Sequence, residues 1–350
     1  MINQSINYIA KISVTVSLPL LLATSLLILS CKPETKEMAE VAAESSKARI
    51  PVIFDTDANN ELDDQHALAY LFYNQDVFDL LGITVNTTMG GGNIDSQYKE
   101  ADRIMKLCQI DTIPLIKGAD KNFKEISPKI NNPTFDGYEA VELITRTARN
   151  NPTGKLVVIA VGKLTNMALA LQKDPGLADK IRLVWLGSNY PNRGEYNLES
   201  DSASMNYVLN TNIETEFVTV RFGEPSGTAA VQLSKQDALK RLPGLGPKHT
   251  LPITGRHGGQ FTNLGDYLAN LFEYIHYDQG GQFRALFDMA AVAIVKNPSW
   301  AENITVPAPI MINDKFVDRP NNPHKIKVWE NFKKDSIMND FFHSLGYVEH

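Results

Sequence analysis

The sequence predicts an α/β fold of the Rossmann-like type, in which a mainly parallel sheet carries helices on both faces. From residue 50 onward, short β-prone runs alternate with segments whose apolar positions recur at helical spacing, which is the pattern of βαβ units. Clusters of acidic and amide residues follow several of these runs, and ligands of α/β proteins bind beyond the carboxyl ends of the strands. No internal repeat or linker is evident after residue 50, so we expect a single domain over residues 49–350.

The predicted elements follow one another along the chain in this alternating order. The strand-like runs are residues 52–54, 80–85, 113–116, 156–161, 181–186, 217–220, 304–312 and 325–329. The helical patterns are residues 64–73, 96–107, 138–149, 164–172, 203–209, 263–277 and 288–295. Because helices separate most of the strands, we expect neighbouring strands to be parallel.

The first 30 residues have the pattern of a secretory signal. Their apolar block runs from Leu18 to Ser30 and is too short for a comfortable membrane span of about 20 residues. It ends at Cys31, and the four residues up to this cysteine resemble a bacterial lipobox. We therefore predict an exported lipoprotein, on the periplasmic or cell-surface side, anchored to the membrane through Cys31, with residues 31–48 as a flexible tether. An ordinary cleaved signal followed by an unrelated cysteine is the alternative.

Composition argues against nucleic-acid binding and against a disulfide-stabilised fold. The 34 basic and 40 acidic residues give a net charge of −6, and no basic cluster stands out. The other cysteine, Cys108, lies where the helical pattern faces the predicted core. A lipidated Cys31 leaves it no intrachain partner, so stability must come from the core.

Four aspartates lie in one loop between the first strand and the first helix. These are Asp55, Asp57, Asp63 and Asp64. Like charges crowded into about ten residues repel one another, which makes sense chiefly if a hard cation or hydroxyl donors compensate them. The loop therefore predicts a metal or polyol site. The alternative is a solvated turn in which Asp63 or Asp64 caps the helix.

Four further polar clusters occur where predicted strands end. They contain Asn86 and Asn93, Thr165, the turn from Asn189 through Glu195 to Asn197, and Asp288. A carboxylate and three amides in the third cluster are suited to binding sugar hydroxyls. For Thr165, helix capping is the simpler interpretation from the sequence alone, and for Asp288 capping and a functional role are equally open.

Taken together, these motifs resemble the inosine-uridine type nucleoside hydrolases. The motifs occur in that family's order and span residues 50 to about 312. The resemblance implies the nucleoside hydrolase architecture and calcium-dependent hydrolysis of the N-glycosidic bond of ribonucleosides, by metal-bound water that attacks C1′. It also makes a homodimer or homotetramer the default.

The resemblance also implies a role for each residue. The Ca²⁺ ligands would be Asp57, Asp64, Asp288 and the main-chain carbonyl of Thr165, a set of oxygens that suits this ion. Asp57 would also be the general base, and Asp55 would orient its neighbours. Asp63 would bind a ribose hydroxyl, while Asn93, Asn189, Glu195 and Asn197 would hold the sugar and stabilise its oxocarbenium-like transition state.

The sequence departs from the family in two places. Five residues, 58–62, separate Asp57 from Asp63, where the family has three, so Asn59, Asn60 or Glu61 could be an added ligand. Many members have a histidine before the last metal aspartate, where it protonates the leaving base, and here that residue is Phe287.

Two kinds of replacement for this acid remain open. A histidine elsewhere could protonate the base, and the candidates are His257 first, His276 second and His66 last. Alternatively, a purine could stack on Trp185, Tyr190 or Phe287. For all six residues, an ordinary structural role is the more common one.

Three other functions remain possible from the sequence. One is hydrolysis of a different ribosyl compound. The second is a phosphatase of the haloacid dehalogenase type, which would also have a strand ending in Asp55-Thr56-Asp57 but would not need the Glu195 turn. The third is a lipid-tethered nucleoside- or sugar-binding protein that has lost turnover.

Overall fold

The computed structural model describes residues 48–152, 154–277 and 281–348, and strands alternate with helices through most of these ranges. The strands are β1 (Ile50–Thr56), β2 (Phe78–Val85), β3 (Leu115–Lys117), β4 (Leu156–Ala160), β5 (Ile181–Ser188), β6 (Glu214–Thr219), β7 (Gln232–Ser234), β8 (Ile253–Thr254), β9 (Gln260–Phe261), β10 (Phe283–Ala285), β11 (Glu302–Pro307), β12 (Ile310–Ile312), β13 (Lys315–Val317) and β14 (Lys325–Glu330). The helices are α1 (Asp63–Phe72), α2 (Ile94–Leu107), α3 (Phe123–Ile126), α4 (Tyr138–Asn150), α5 (Thr165–Lys173), α6 (Tyr196–Ser200), α7 (Ser202–Leu209), α8 (Lys235–Arg241), α9 (Leu264–Leu271), α10 (Phe287–Lys296) and α11 (Lys334–Ser344).

The central sheet has eight strands in the order β11-β14-β6-β5-β4-β1-β2-β3. Every neighbouring pair is parallel except β11 with β14. The chain begins in the middle at β1, builds β2 and β3 on one side, and then returns to build β4, β5 and β6 on the other. Strand order therefore reverses between β1 and β4, and the crevice beyond their carboxyl ends is the expected ligand site.

Two apolar clusters cover the two faces of this sheet. In β1, Val52 and Phe54 belong to one cluster while Ile53 belongs to the other, because successive side chains of a strand point to opposite faces. Both faces of the sheet are therefore shielded from solvent, as parallel sheets require. This confirms the predicted α/β class with helices on both faces.

Two predicted elements were wrong in extent. The strand expected over residues 304–312 is two strands, β11 and β12, because Pro307 and Pro309 lack the N–H that a continuous ladder needs. The helix expected over residues 263–277 ends at Leu271, after which Phe272 is fully buried and Tyr274 is exposed. The sequence patterns also missed the short helices α3, α6 and α8, and the longer α11.

The predicted signal and tether lie outside the described residues, so they stay predictions. Within the described ranges, no helix combines the length and apolar character needed to cross a membrane. Cys108 is buried, as expected from its helical position.

Candidate active site

A pocket of about 270 Å³ lies at the carboxyl ends of the central strands. Asp57 follows β1, Val161 follows β4, Leu186 is near the end of β5, and Phe222 follows β6. A larger concavity of about 500 Å³ lies beside Ala48–Pro51 at the opposite, amino end of β1, where α/β folds rarely bind ligands. The first pocket is therefore the candidate active site.

Three carboxylates meet in this pocket. One oxygen from each of Asp63, Asp64 and Asp288 lies within 4.8 Å of the other two. Asp63 and Asp64 open helix α1, Asp288 lies in the first turn of α10, and these two helices pack together. All three side chains are buried, which rules out the solvated-turn interpretation. Neither helix has a side-chain cap at its N-terminus, so none of these aspartates serves as one.

The electrostatics of this cluster call for a cation. Burial raises the pKa of Asp64 and of Asp288 well above the usual value, and the neighbouring carboxylates raise both further. The Thr56 hydroxyl donates to Asp64 and partly offsets this effect. Closely spaced buried carboxylates are a donor set that fits a hard, oxygen-seeking ion such as Ca²⁺.

Asp57 lines the same pocket but lies outside this group of three. Its carboxylate accepts a hydrogen bond from Asn60 Nδ2 at 3.2 Å and another from the Thr88 hydroxyl. Burial raises the pKa of Asp57 to about 7, with those hydrogen bonds acting against the shift. A carboxylate with a pKa near neutrality is suited to take up a proton at physiological pH.

Asp55 lies behind the pocket and ties three elements together. Its carboxylate accepts hydrogen bonds from Thr84 Oγ1 at 2.6 Å, Asn166 Nδ2 at 2.7 Å and Asn86 Nδ2 at 3.1 Å. Burial raises the pKa of Asp55 to about 6 despite these donors. This network fixes the end of β1 against β2 and α5, which is the arrangement expected of an orienting residue.

The turn after β5 contributes two of its predicted residues. Glu195 caps the short helix α6 by accepting from the Leu198 amide at 2.8 Å, and burial raises the pKa of Glu195 to about 7. Asn197 Nδ2 donates to the Val161 carbonyl at 2.7 Å and to the Leu186 carbonyl at 3.1 Å. Both side chains line the pocket, as does Val161, the residue that directly follows β4.

Three predicted ligands or binding residues lie elsewhere. Asn93 is exposed and caps α2 by accepting from the Ser96 amide at 3.0 Å. Asn189 Nδ2 donates within its own turn, to the Arg193 carbonyl at 3.0 Å. Thr165 begins α5, where its hydroxyl donates to Asp201 Oδ2 at 2.6 Å and its carbonyl is part of the helical backbone. None of the three lines the pocket.

None of the candidate histidines lines the pocket either. His257 stacks on Tyr274 with ring centroids 4.4 Å apart, and partial burial together with nearby arginines lowers its pKa. His66 is fully buried, which lowers its pKa to about 4. The main-chain carbonyl of His276 accepts a hydrogen bond from Arg284 Nη1 at 3.5 Å. The expectation that His257 is the acid gains no support from this placement.

The aromatic candidates divide in the same way. Trp185 is fully buried and donates to the Gly162 carbonyl at 2.9 Å, and Tyr190 packs against Phe217 and Phe316. Of the three aromatic candidates, only Phe287 lines the pocket.

Several pocket residues escaped the sequence analysis. The lining side chains that it did not single out for this site include Tyr196, Phe222 and Arg284, and it also missed Thr88, which donates to Asp57 from outside the lining. Phe222 lies three residues after the end of β6, and Arg284 lies three residues before the start of α10. This nearness in sequence to elements at the site was the one signal available. Asn60 and Glu61, from the extended loop, also line the pocket.

Comparison with known proteins gives one family. The family model for inosine-uridine preferring nucleoside hydrolases matches residues 52–339. A nucleoside hydrolase of that name from Leishmania major is 22% identical over 280 residues, which are 75% of this chain and 83% of that protein. A plant nucleoside hydrolase superposes with a TM-score of 0.67 at 17% identity, over 85% of this chain and 99% of the other. A purine-preferring ribonucleoside hydrolase from Gardnerella vaginalis gives 0.64 at 19% identity, over 84% and 98% of the two chains.

Proposed function

Because the chain belongs to the inosine-uridine preferring nucleoside hydrolase family, and is therefore an N-ribosyl hydrolase, we propose that it hydrolyses ribosides in the pocket beyond β1 and β4 with Ca²⁺ as cofactor. The observation that carries this proposal is the meeting of three buried carboxylates within 4.8 Å at the switch point of the sheet. In their ionised form these carboxylates repel one another, and a bound cation relieves that repulsion.

We assign the Ca²⁺ to Asp57, Asp64 and Asp288, with one change from the sequence-based expectation. Thr165 is replaced by the main-chain carbonyl of Val161, which directly follows β4 beside the pocket and accepts from Asn197. Asp63 is part of the carboxylate group and binds either the ion or a ribose hydroxyl. When bound, Ca²⁺ lowers the pKa of a coordinated water and orients hydroxyl ligands.

The chain's own residues carry out the proton transfer and hold the sugar. Asp57 takes the proton of the attacking water, since its carboxylate lines the pocket beside the acidic cluster. Glu195 and Asn197 hold the ribose and stabilise positive charge that develops at C1′, since both line the pocket. Asp55 keeps the end of β1 in place through its three hydrogen bonds.

Turnover of two kinds of substrate in calcium and then in a chelator tests this function. Natural nucleosides need help for the leaving base, whereas p-nitrophenyl riboside releases a group that departs without protonation. Chelator-sensitive release from either supports the proposal. Calcium-dependent sugar binding without any turnover would instead support the lipid-tethered binding protein.

We also propose that the hydrolase is an exported lipoprotein held at the membrane through Cys31, and that it assembles as a homodimer or homotetramer. The support for the anchor is the apolar block that ends at Cys31. Incorporation of labelled palmitate that is lost in Cys31→Ser tests the anchor, and light scattering tests the assembly.

A further inference from the structure

One wall of the pocket is built from an arginine and two phenylalanines. Arg284 Cζ lies 5.6 Å from the centroid of the Phe287 ring. Phe222 packs edge-on against Phe287, with centroids 6.2 Å apart and planes at 75°. All three residues line the pocket. The wall therefore combines flat apolar surfaces with a guanidinium next to Phe287, the residue that stands where many family members have their acid.

The longer first loop supplies a partner for this arginine. Glu61 Oε2 accepts from Arg284 Nη2 at 3.1 Å, and Arg256 Nη2 donates to the Glu61 carbonyl. Glu61 is one of the five residues between Asp57 and Asp63. The loop thus places a carboxylate that fixes the orientation of the guanidinium beside Phe287.

Arg284 is buried but keeps one side toward the pocket. Its side chain is 11% exposed and that of Glu61 is 39% exposed. Among the described residues that line this pocket, Arg284 is the only one with a positively charged side chain. Every other charged group there is a carboxylate, so among these described residues Arg284 is the one group that attracts negative charge developing on a ligand beside it.

An arginine at this place has a definite chemical meaning. A guanidinium is not deprotonated in proteins, so it cannot donate a proton to a leaving group. Its fixed array of N–H donors does bind oxygen and nitrogen anions strongly. A site that has such a group beside Phe287 and no histidine among the described residues of its lining favours leaving groups that depart with a negative charge.

We propose that Arg284 binds the leaving group directly and restricts this hydrolase to ribosides of acidic aglycones, such as acidic nucleobases. In the reaction, the bond from C1′ to the aglycone breaks and its electron pair stays with the aglycone. The water oxygen bonds to C1′, and its proton passes to Asp57. The aglycone leaves as an anion against Arg284 and takes a proton from solvent after release. This inference rests on the proposed function and adds its substrate class.

A series of aryl ribosides with phenol leaving groups of different acidity tests the inference. In Arg284→Gln, kcat/KM should fall by about 10- to 100-fold with unsubstituted phenyl riboside, the range for a charged hydrogen bond. The loss should be much smaller with p-nitrophenyl riboside, so the dependence on leaving-group acidity should become steeper. Arg149→Gln is the matched control, because Arg149 pairs with Asp174 far from the pocket and should match the wild type.

Two companion variants separate recognition from a structural role. Arg284→Lys keeps the charge, and its dependence should lie between those of wild type and Arg284→Gln. Glu61→Gln keeps the guanidinium but removes the carboxylate that orients it, so its dependence should lie between those of wild type and Arg284→Gln. For the natural reaction, Arg284→Gln should lose more activity on xanthosine, which has an acidic base, than on p-nitrophenyl riboside.

The outcomes distinguish this inference from the proposed function. An equal loss of activity with every leaving group in Arg284→Gln would mean a structural role only and would overturn the inference while the hydrolase stands. Failure of the wild type to cleave any riboside would overturn the proposed function and the inference together.

Discussion

Replacing Glu195 by glutamine should stabilise the calcium-free protein at neutral pH. The same substitution should lower the activity measured with calcium present. Burial raises the pKa of Glu195 from 4.5 to about 7, and the charge of Asp57 adds to the shift. The native state therefore holds the proton more tightly than the unfolded chain does. The resulting stability is fully present below pH 4.5 and is lost as the pH rises through about 7.

The size of the expected change in stability follows from the difference between the two pKa values of Glu195, 4.5 and about 7. One pKa unit corresponds to about 1.4 kcal/mol, so ionising Glu195 in place destabilises the folded protein by roughly 3 kcal/mol at pH 8. Glutamine has nearly the same shape, carries no charge and can still accept from the Leu198 amide. Glu195→Gln should recover a large part of that free energy at pH 8 and none at pH 4.

Urea denaturation with chelator present, at several values between pH 4 and pH 8, measures this effect. Glu199→Gln is the matched control, because Glu199 is on the same short helix and 44% exposed, and it should leave the pH dependence unchanged. In the same protein, kcat with p-nitrophenyl riboside should fall by about 10- to 100-fold, since a hydrogen bond to a charged centre is lost. A Glu195→Gln protein that is less stable than wild type at pH 8, or equally dependent on pH, would refute the reasoning.

Three further predictions follow from the site. Asp288→Asn should abolish the gain in stability that calcium gives the wild type, which should be about 2.7 kcal/mol at a hundredfold excess of calcium over Kd. The control Asp335→Asn changes an exposed aspartate and should keep this gain. A gain retained in Asp288→Asn would contradict the ligand assignment. Asp55→Asn should lower the free energy of unfolding, measured by urea denaturation, by about 2–4 kcal/mol, because the new amide NH₂ group faces hydrogen-bond donors. An unchanged free energy of unfolding would contradict the proposal that Asp55 holds the end of β1 in place. Phe287→His should raise kcat/KM on uridine and inosine by at least about 10-fold, by supplying an acid, with little change on p-nitrophenyl riboside. Equal effects on both substrates would show that this position does not serve the leaving group.

The sequence was sufficient for the sheet and for the acidic half of the site. Alternating β-prone runs and helical patterns gave the layers. Strand-end position drew attention to the polar clusters, and the family resemblance then named Asp57, Asp64, Asp288, Glu195 and Asn197, all of which line one pocket. Polar residues at strand ends are a strong signal, since a polar side chain there is seldom needed for packing.

The other half of the site depends on contacts between distant segments, which periodicity does not reveal. Arg284 and Glu61 are 223 positions apart in the numbering, and Phe222 reaches Phe287 only after β6 and α10 are assembled. Thr165 was chosen as a ligand from its motif, yet α5 begins at that residue and commits its carbonyl to the helix. Asn93 likewise became a helix cap.

The most direct test of the central claim is hydrolysis of p-nitrophenyl riboside in water enriched in oxygen-18, with calcium present. Mass spectrometry then shows which product carries the label. Attack of water on C1′ predicts no label in nitrophenol, because the bond from its oxygen to the aromatic ring stays intact, with both products lost when calcium is chelated or in Asp57→Asn. Label in nitrophenol, or release that continues unchanged in chelator and in Asp57→Asn, would contradict a calcium-dependent N-ribosyl hydrolase with Asp57 as its base.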